Sequence, residues 1–404
     1  MSDYHIPDNL MAEVLLRLPF DSLIRFRCVS KSWRDLIDSP FFIEVHSERS
    51  KECPPPHSAD NKIVAIKGTT FYTFDSVCKL RGGLCRAIAR ELNSPSLEFE
   101  ERGLEIVGSC NGMVCLWNFR TDELALWNPW IQHCSALPSP PYEFTKKCRC
   151  SMGAAFGYDH VNDDYKVVKW HIQFVPYNSY RELPSSCRYD LCVYSLKLNS
   201  WKRIQSSCIP FELPEFYYFP ADCALVNGEL HWLVTEISWG FETFILAFDL
   251  GSEEFRKMSC GPGNTDSPDL ISYIHDPKLC NLNGYLSFFC NKMFQRERKR
   301  VGEVWIMEDY GGECESSWTQ LASIDFPDYN QGYWGLKPVT FSKKKKKMLL
   351  QSGWEKLVLY DLDKKSVRDV TISGEASCSA SCVSAGSLIS PFSWLCSAGG
   401  TDHS

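Results

Sequence analysis

The second half of the chain contains the sequence Phe248-Asp249-Leu250-Gly251-Ser252-Glu253-Glu254-Phe255-Arg256. An aromatic residue stands directly before an aspartate, and a second aromatic residue follows six positions after that aspartate. Aromatic residues favour β-strands, and aspartate begins tight turns by accepting hydrogen bonds from the backbone that follows it. The pattern therefore predicts a strand, a turn of about four residues and a second strand.

Five other parts of the sequence have a similar arrangement. They are Phe74-Asp75-Ser76 with Arg81, Trp127-Asn128-Pro129 with Cys134, Tyr194-Ser195-Leu196 with Trp201, Trp305-Ile306-Met307 with Trp318 after an insertion, and Tyr360-Asp361-Leu362 with Val367. The copies are about 57 residues apart on average, which is close to the period of kelch-type β-propellers with four strands per blade. Six copies predict about six blades, and five or seven remain open.

Composition supports an all-β structure for this region. Aromatic residues make up 13% of the chain, and 22 prolines and 24 glycines provide frequent turns. Three Asn-Gly pairs between apolar residues predict two-residue hairpin turns, namely Asn111-Gly112, Asn227-Gly228 and Asn283-Gly284. Near the C-terminus, the apolar residues of 387–391 are expected to form one strand that closes the ring.

Residues 8–46 have helical periodicity instead. Leu10 and Val14 fall on one helical face, Pro19 ends that helix, and Ser30 is expected to cap a later one. This predicts three or four short helices, which are too small to bury a good core alone. We therefore expect an apolar face that meets a partner.

The chain thus divides into four parts. Residues 1–46 form the helical module, 47–62 form a linker with a proline run, 63–392 form the propeller, and 393–404 form a flexible tail.

Charge and cysteine content restrict the class of protein. The formal net charge of −7 argues against non-specific nucleic-acid binding, and no apolar run approaches the ~18 residues of a membrane span. The 20 cysteines occur without a signal-peptide pattern or an Asn-x-Ser/Thr site, so we expect them to be reduced and mostly buried. These features predict a cytoplasmic or nuclear protein.

The sequence contains no assembled catalytic or metal site, and we expect no cofactor. Gly108-Ser109-Cys110-Asn111-Gly112 has the spacing of a nucleophile elbow, but a strand rather than a helix follows it, which favours a hairpin turn. Cysteine pairs such as Cys148 and Cys150 lack zinc-site spacing. The acids Asp159, Asp163 and Asp164 are interpreted as a polar loop before a strand, because an EF-hand pattern is absent.

Two further features have weak functional interpretations. The five lysines at 343–347 could serve nuclear import, but a solvated hairpin tip is favoured because like charges also prevent edge pairing. Tail cysteines such as Cys396 are weak candidates for acylation.

The N-terminal segment resembles an F-box. The match rests on Ile6-Pro7-Asp8-Asn9-Leu10, Val14-Leu15-Leu16-Arg17-Leu18-Pro19 and Cys28-Val29-Ser30-Lys31-Ser32-Trp33, within about 40 residues. Ile6 departs conservatively from the usual leucine.

The rest of the chain resembles the plant F-box-associated, kelch-like domain. The matching pieces are Gly108–Gly112, Trp127-Asn128-Pro129, Phe156-Gly157-Tyr158-Asp159, Asp164-Tyr165-Lys166-Val167-Val168, 195–203, Leu230-His231-Trp232 and Val304-Trp305-Ile306-Met307. Within this family, the chain is more similar to the type named for constitutive expression of pathogenesis-related genes than to the pollen S-locus type.

The resemblance implies a non-catalytic substrate-recognition subunit of a Skp–cullin–F-box ubiquitin ligase. The F-box would bind a Skp-type adaptor and through it cullin, and the propeller would hold a protein target for ubiquitylation and proteasomal degradation. Intracellular immune receptors are the candidate targets. By the family pattern, the adaptor-binding residues, some of which must face inward, are Pro7, Leu10, Val14, Leu15, Leu18, Pro19, Leu23, Cys28, Val29 and Trp33.

Target binding is expected from loops on one propeller face. The segment 211–220 is rich in aromatic residues, which are typical binding hot spots, although an ordinary blade core explains them equally well. The candidate target-binding residues are Phe211, Phe216, Tyr217, Tyr218 and Phe219.

Three alternatives remain open at this stage. One is a pollen S-locus-type F-box protein that recognises a ribonuclease, and another is a propeller interaction protein that works outside a ligase. The third is a kelch-type propeller enzyme with metal ligands at its axis, although the histidines show no paired spacing.

Overall fold

A computed structural model describes most of the chain. The described residues are 7–52, 61–67, 69–75, 79–81, 84–87, 89–95, 103–141, 150–174, 187–204, 217–218, 222–236, 243–261, 272–294, 299–311, 318–326, 336–342, 346–352, 356–372, 380–385 and 387–391.

The described chain begins with four short helices, which we call the helical module. They are α1 (Asp8–Leu15), α2 (Phe20–Phe26), α3 (Lys31–Ile37) and α4 (Pro40–Glu52). The hydroxyl of Ser30 accepts a hydrogen bond from the N–H of Trp33 at 3.1 Å, so the predicted cap is confirmed. Ser39 caps α4 in the same way through the N–H of Phe42 at 3.3 Å.

The last helix is longer than the sequence pattern indicated. The sequence predicts a linker from residue 47, but α4 continues to Glu52. The polar residues after His46 are compatible with a helix, and Pro54 is the first residue that opposes one.

Six blades follow the helices, which confirms the predicted propeller. Blade 1 contains β1 (Asn61–Lys67), β2 (Thr70–Asp75), β5 (Arg90–Leu92) and β27 (Ala380–Ala385). Blade 2 contains β6 (Leu104–Cys110), β7 (Met113–Asn118), β8 (Glu123–Asn128) and β9 (His133–Ala136). Blade 3 contains β10 (Cys150–Asp159), β11 (Asp164–Phe174), β12 (Cys187–Ser195) and β13 (Ser200–Ile204).

Blades 4 to 6 repeat this plan. Blade 4 contains β14 (Tyr217–Tyr218), β15 (Ala224–Val226), β16 (Glu229–Glu236), β17 (Thr243–Asp249) and β18 (Phe255–Ser259). Blade 5 contains β19 (Ser272–Leu282), β20 (Tyr285–Phe294), β21 (Lys299–Met307) and β22 (Trp318–Phe326). Blade 6 contains β23 (Leu336–Ser342), β24 (Lys347–Ser352), β25 (Lys356–Asp361) and β26 (Ser366–Ile372), extended by β4 (Leu84–Ala87) and β3 (Lys79–Arg81).

The repeated pattern marks the outer strand pair in five blades. The turns β8–β9, β12–β13, β17–β18, β21–β22 and β25–β26 each join antiparallel partners as predicted. The three Asn-Gly pairs are also hairpin turns, and both residues of Asn111-Gly112 have positive φ (48° and 82°), as the favoured hairpin turn requires.

For the sixth copy of the pattern, at 74–81, the prediction that its two strands pair with each other is wrong. β2 pairs with β5, through Thr73 opposite Arg90, rather than with the strand at Arg81. β3 instead forms a hairpin with β4, and β4 lies parallel to β26 in blade 6. Residues 74–81 have the spacing of the repeated pattern, but the strand that pairs with β2 lies farther along the chain, at Arg90–Leu92.

The strand that closes the ring was also placed too late in the sequence. β27 closes it by pairing with β1, with Val383 opposite Ile63. The segment 387–391 is buried but is not a strand, and the side-chain amide of Asn128 donates to the carbonyls of Ser387 (2.9 Å) and Ile389 (2.7 Å). These two hydrogen bonds from the Asn128 side chain hold the segment in place, where a strand would be held by backbone hydrogen bonds to a neighbouring strand.

Aromatic contacts fill the spaces between neighbouring blades. Trp170 of blade 3 meets Trp232 of blade 4 edge to face at 5.5 Å, and Phe71 of blade 1 lies 4.6 Å from Trp127 of blade 2. Such pairs add directional packing to the apolar burial that joins the sheets. Among the described residues, no helix is long and apolar enough to span a membrane.

The innermost strands run in one direction and end on one face of the ring. We call this face the Asn-Gly face, because it carries the turns Asn111-Gly112, Asn227-Gly228 and Asn283-Gly284. Hydrogen bonds confirm the alignment: Ser109, near the end of β6, donates to the carbonyl of Val383, near the end of β27. The opposite face carries the beginnings of the innermost strands.

Candidate functional site

The helical module carries apolar side chains on its surface although its core is already closed. Leu10 is 55% exposed, Val14 58% and Val29 60%. Leu10 and Val14 are four residues apart on α1 and so share one face, and Val29 lies in the turn between α2 and α3. Both α1 and α2 pack against α3, so these exposed residues stand on one helical unit.

The predicted adaptor-binding residues divide into three groups. Leu15 and Leu23 are fully buried in the module's core with Ile37 and Phe42, so their side chains stabilise the helices instead of facing a partner. Leu18 and Trp33 are half-buried. The exposed members of the set are Pro7, Leu10, Val14, Pro19, Cys28 and Val29. Adaptor contact by these residues stays a prediction.

An ion pair fixes the turn that presents Cys28 and Val29. The Nη2 of Arg27 donates a hydrogen bond to Oδ2 of Asp38 at 2.8 Å, and the Nε of Arg27 lies 2.7 Å from Oδ1. Hydrogen bonds between charged groups are stronger than those between neutral groups. The turn between α2 and α3 is therefore held to the end of α3.

Sequence reasoning missed one exposed aromatic residue. Phe41 on α4 is largely exposed, whereas the adjacent Phe42 is buried in the module's core. Consecutive helical residues point about 100° apart, so the pair Phe41-Phe42 must place one ring outside the core when the other fills it. This signal was present in the sequence.

The helical module packs directly on the Asn-Gly face of the propeller. Leu388, which follows β27, is part of the module's buried core, and Trp130 in the β8–β9 turn packs against it. The ring of Phe20 lies 6.3 Å from that of Trp130, edge to face. Lys62 contacts Asp21 at 2.8 Å and lies over the Trp130 ring at 5.4 Å. The module and the propeller therefore share one continuous interface.

The candidate target-binding residues are only partly within the described chain. Tyr217 and Tyr218 form β14, which pairs with Thr235 and Glu236 at the end of β16. This places their backbone at the inner edge of blade 4, on the side of the ring opposite the Asn-Gly face. Phe211, Phe216 and Phe219 lie outside the described residues, so target binding by the whole set stays a prediction.

The other motifs have structural explanations where they are described. Cys110 ends β6 before the Asn111-Gly112 hairpin, as favoured. Asp159 accepts hydrogen bonds from the N–H groups of Val161 and Asn162, which makes the predicted polar loop. Within the described ranges, no three His, Cys, Asp or Glu side chains are grouped as a metal site would require.

The lysine run and the cysteines can be assigned in the same way. Ser342 pairs with Lys347, so the described residues of the lysine run, Lys346 and Lys347, belong to the predicted hairpin between β23 and β24. Five described cysteines are free thiols and buried, namely Cys115, Cys134, Cys192, Cys280 and Cys290. Burial raises the pKa of the Cys280 thiol to about 12, which keeps it protonated and unreactive at neutral pH.

Comparison with protein families agrees with this geometry. The F-box domain matches residues 4–44, and the F-box associated beta propeller domain matches residues 61–392. The chain belongs to the F-box proteins that carry this propeller. Its four helices are the F-box, and the exposed residues described above lie on it.

Two relatives of this F-box protein come from the plant Arabidopsis thaliana. F-box protein CPR1 of Arabidopsis thaliana is 31% identical over 386 residues, which cover 91% of this chain and 84% of CPR1. An F-box/kelch-repeat protein of the same plant is 28% identical over 340 residues, which cover 80% of each chain. The expected similarity to the pathogenesis-related type of plant F-box protein is thus confirmed.

Proposed function

We propose that this F-box protein is the substrate-recognition subunit of a Skp–cullin–F-box ubiquitin ligase. The observation that carries the proposal is the exposure of the apolar residues Leu10, Val14 and Val29 on an F-box whose own core is filled. Each apolar Å² removed from water stabilises a complex by about 25 cal/mol before the costs of association. Helices that keep such side chains at the surface are suited to a groove on a partner.

The propeller supports the second half of the proposal. The protein holds a target near the E2 enzyme on the cullin arm, so that lysines of the target are ubiquitylated and the target is degraded by the proteasome. Its own contribution is proximity, which raises the effective concentration of the target and needs no nucleophile or base on this chain. Intracellular immune receptors are the class of target we propose, and the cytoplasm or nucleus is the proposed location.

The test is co-purification with a plant Skp-type adaptor. Val14→Asp places a charge in the proposed contact, and we expect adaptor binding to fall at least about tenfold, as for a hot-spot residue. Val161→Asp is the matched control, because Val161 is 81% exposed on the propeller and should leave adaptor binding unchanged.

A second variant separates binding from folding. Leu15→Ala removes a fully buried side chain of the F-box core, so it should lower the unfolding temperature, whereas Val14→Asp should not. Adaptor binding by Val14→Asp at the level of wild type would refute the proposed surface. Absence of binding by folded wild-type protein would refute the ligase role.

A further inference from the structure

Exposed apolar side chains are concentrated on the F-box. Among the described residues, seven large apolar side chains are exposed, and four of them belong to the F-box, namely Leu10, Val14, Val29 and Phe41. Phe41 is the largest of the four and also the most exposed, at 68%. It lies outside the set that the family pattern assigned to adaptor binding. Single exposed apolar residues are ordinary on a protein surface, but four on one small helical unit mark a contact surface.

The packing of α4 does not require an aromatic residue at position 41. The buried core of the F-box contains Phe42 together with Leu15 and Ile37. Consecutive helical side chains point about 100° apart, so Phe41 is directed away from this core. Helix propensity does not favour phenylalanine over polar residues such as lysine or glutamate. The exposed ring is therefore explained better by contact with a partner than by folding.

The corner that presents Phe41 is rigid. The hydroxyl of Ser39 donates to the carbonyl of Leu36 at 2.7 Å and accepts from the N–H of Phe42 at 3.3 Å. Pro40 restricts the backbone directly before Phe41. A side chain on a fixed backbone loses less conformational freedom when it binds, which favours affinity.

An ion pair joins this corner to the turn that carries Val29. Asp38, three residues before Phe41, accepts a hydrogen bond from Nη2 of Arg27 at 2.8 Å, and Arg27 lies two residues before Val29. Val29 and Phe41 stand beyond the two ends of α3, a helix of seven residues that is only about 10 Å long. A partner that covers the Val29 turn therefore needs to extend by one short helix to reach Phe41.

The helix that carries Phe41 is also fixed to the propeller. Ile43, two residues after Phe41, packs both against the F-box core and against the apolar cluster between blades 2 and 3. Side chains two positions apart on a helix point about 200° apart, so Phe41 faces away from this contact. A partner bound at Phe41 would be held by the same helix that is docked on the propeller.

We infer that Phe41 is a further anchor for the Skp-type adaptor, and that its ring enters an apolar pocket of that partner. The inference rests on the proposed function, because it extends the adaptor surface of the same F-box. The adaptor is the occupant because the other exposed apolar residues of this unit already belong to its proposed surface. Aromatic rings in a pocket are typical hot spots, and their loss acts mainly on the rate of dissociation.

The test measures the binding of a purified plant Skp-type adaptor to the immobilised full chain by biolayer interferometry. Phe41→Ala should weaken binding about tenfold, mainly through faster dissociation. Phe41→Leu keeps an apolar side chain and should recover most of the affinity. Phe119→Ala is the matched control, because Phe119 is an exposed aromatic residue of blade 2, and it should bind like wild type.

Unfolding temperatures separate contact from folding. Phe41→Ala should unfold at the temperature of wild type, whereas Phe42→Ala removes a buried ring and should unfold at a lower temperature. If Phe41→Ala also lowers the unfolding temperature, the ring serves the fold and the inference is overturned. Equal loss of adaptor binding in Phe119→Ala would overturn it as well.

Two further outcomes distinguish this inference from the proposed function. Loss of binding in Val14→Asp with unchanged binding in Phe41→Ala would overturn the inference and leave the proposed function intact. Unchanged binding in both variants would refute both. Light scattering of the full chain alone should report a monomer, and a dimer that Phe41→Ala separates would assign Phe41 to a second copy instead of the adaptor.

Discussion

At the level of single residues, buried charges join neighbouring blades in pairs. Lys169 of β11 is fully buried, contacts Asp122 of blade 2 at 2.5 Å and lies 3.8 Å above the ring of Trp117. Burial lowers the pKa of Lys169 to about 8, while Asp122 opposes that shift by favouring the charged form. Either charge alone would be strongly unfavourable inside the protein, and the ion pair between Lys169 and Asp122 offsets that cost.

Breaking this pair should therefore be costly. Asp122→Asn leaves the Lys169 ammonium buried without a counter-charge, and we expect the free energy of unfolding in urea to fall by about 3 kcal/mol. Asp363→Asn breaks a pair in which both side chains are more than half exposed, with Lys346, and should change the free energy by less than about 0.5 kcal/mol. Equal effects of the two substitutions would contradict this account.

His231 should make stability depend on pH. Its Nδ1 lies 3.0 Å from the carbonyl oxygen of Ala224 and its Nε2 lies 2.5 Å from the hydroxyl of Tyr310, across the junction of blades 4 and 5. Burial lowers the pKa of His231 to about 4, although the Ala224 carbonyl and Glu229 oppose the shift. The unfolded chain binds the proton near its ordinary pKa, so the stabilising contribution is complete above that value and is lost as pH falls towards 4.

The measurement compares wild type with His231→Gln by urea unfolding at two pH values. Between about pH 7 and pH 5, wild type should lose about 2 kcal/mol more than the variant, because glutamine does not titrate. Leu198→Gln, at an exposed leucine in the β12–β13 turn, is the control and should follow wild type. A wild-type protein that loses no more stability than His231→Gln would show that the imidazole is already charged when folded.

Single residues also show how far sequence reasoning reaches. The Ser30 cap was predictable because a helix cap depends only on neighbouring residues. Leu15 and Val14 both fall on the apolar side of one helix, so the sequence alone could not decide which of them is buried. The contacts of Asp222 with Lys278 at 3.0 Å and with Lys337 at 2.7 Å were not predictable from the sequence. These residues are distant in sequence and meet only when the ring has closed.

At the level of elements, the outer strand pair of each blade was the most predictable part of the fold. The two strands and the turn between them follow one another in the sequence, so a pattern over a few consecutive residues is enough to predict them. The pairing of β2 with β5 and the placement of the β3–β4 hairpin in blade 6 depend on longer connections. β27 was missed because Ala380–Ala385 is rich in small residues and gives only a weak strand pattern.

Glycine within a strand can mark a close contact, and Gly153 provides a test. A Cβ atom on Gly153 would lie 2.1 Å from the ring of Trp170, its cross-strand partner in β11. We expect Gly153→Ala to lower the free energy of unfolding by about 2 kcal/mol, because the indole must leave its packing against Trp232.

Gly108→Ala is the matched control within a strand. A Cβ atom there would meet the carbonyl oxygen of Phe156 at 3.7 Å, which is an ordinary contact. This substitution should change the urea midpoint much less than Gly153→Ala. Similar losses at both glycines would mean that strand conformation, rather than the Trp170 contact, explains the cost.

At the level of the whole molecule, side-chain contacts fix the F-box to the propeller, in addition to the covalent connection between them. Domains joined only by a linker move relative to each other unless their interface is apolar and extensive. Here Leu388 inserts into the F-box core, Trp130 packs on Phe20, and Lys62 contacts Asp21. Adaptor and target would then be held at a constant distance and orientation.

Leu388→Asp tests this arrangement. The substitution places a charge in the F-box core where only 3% of the leucine is exposed, so docking should be lost while the blades remain paired. Small-angle X-ray scattering should then report a larger radius of gyration than for wild type. Leu198→Asp, at a leucine exposed in the β12–β13 turn, should leave the scattering unchanged. If Leu388→Asp scatters like wild type and keeps its unfolding temperature, the contacts through Trp130 and Lys62 suffice for docking, and the C-terminal segment is not what fixes the F-box.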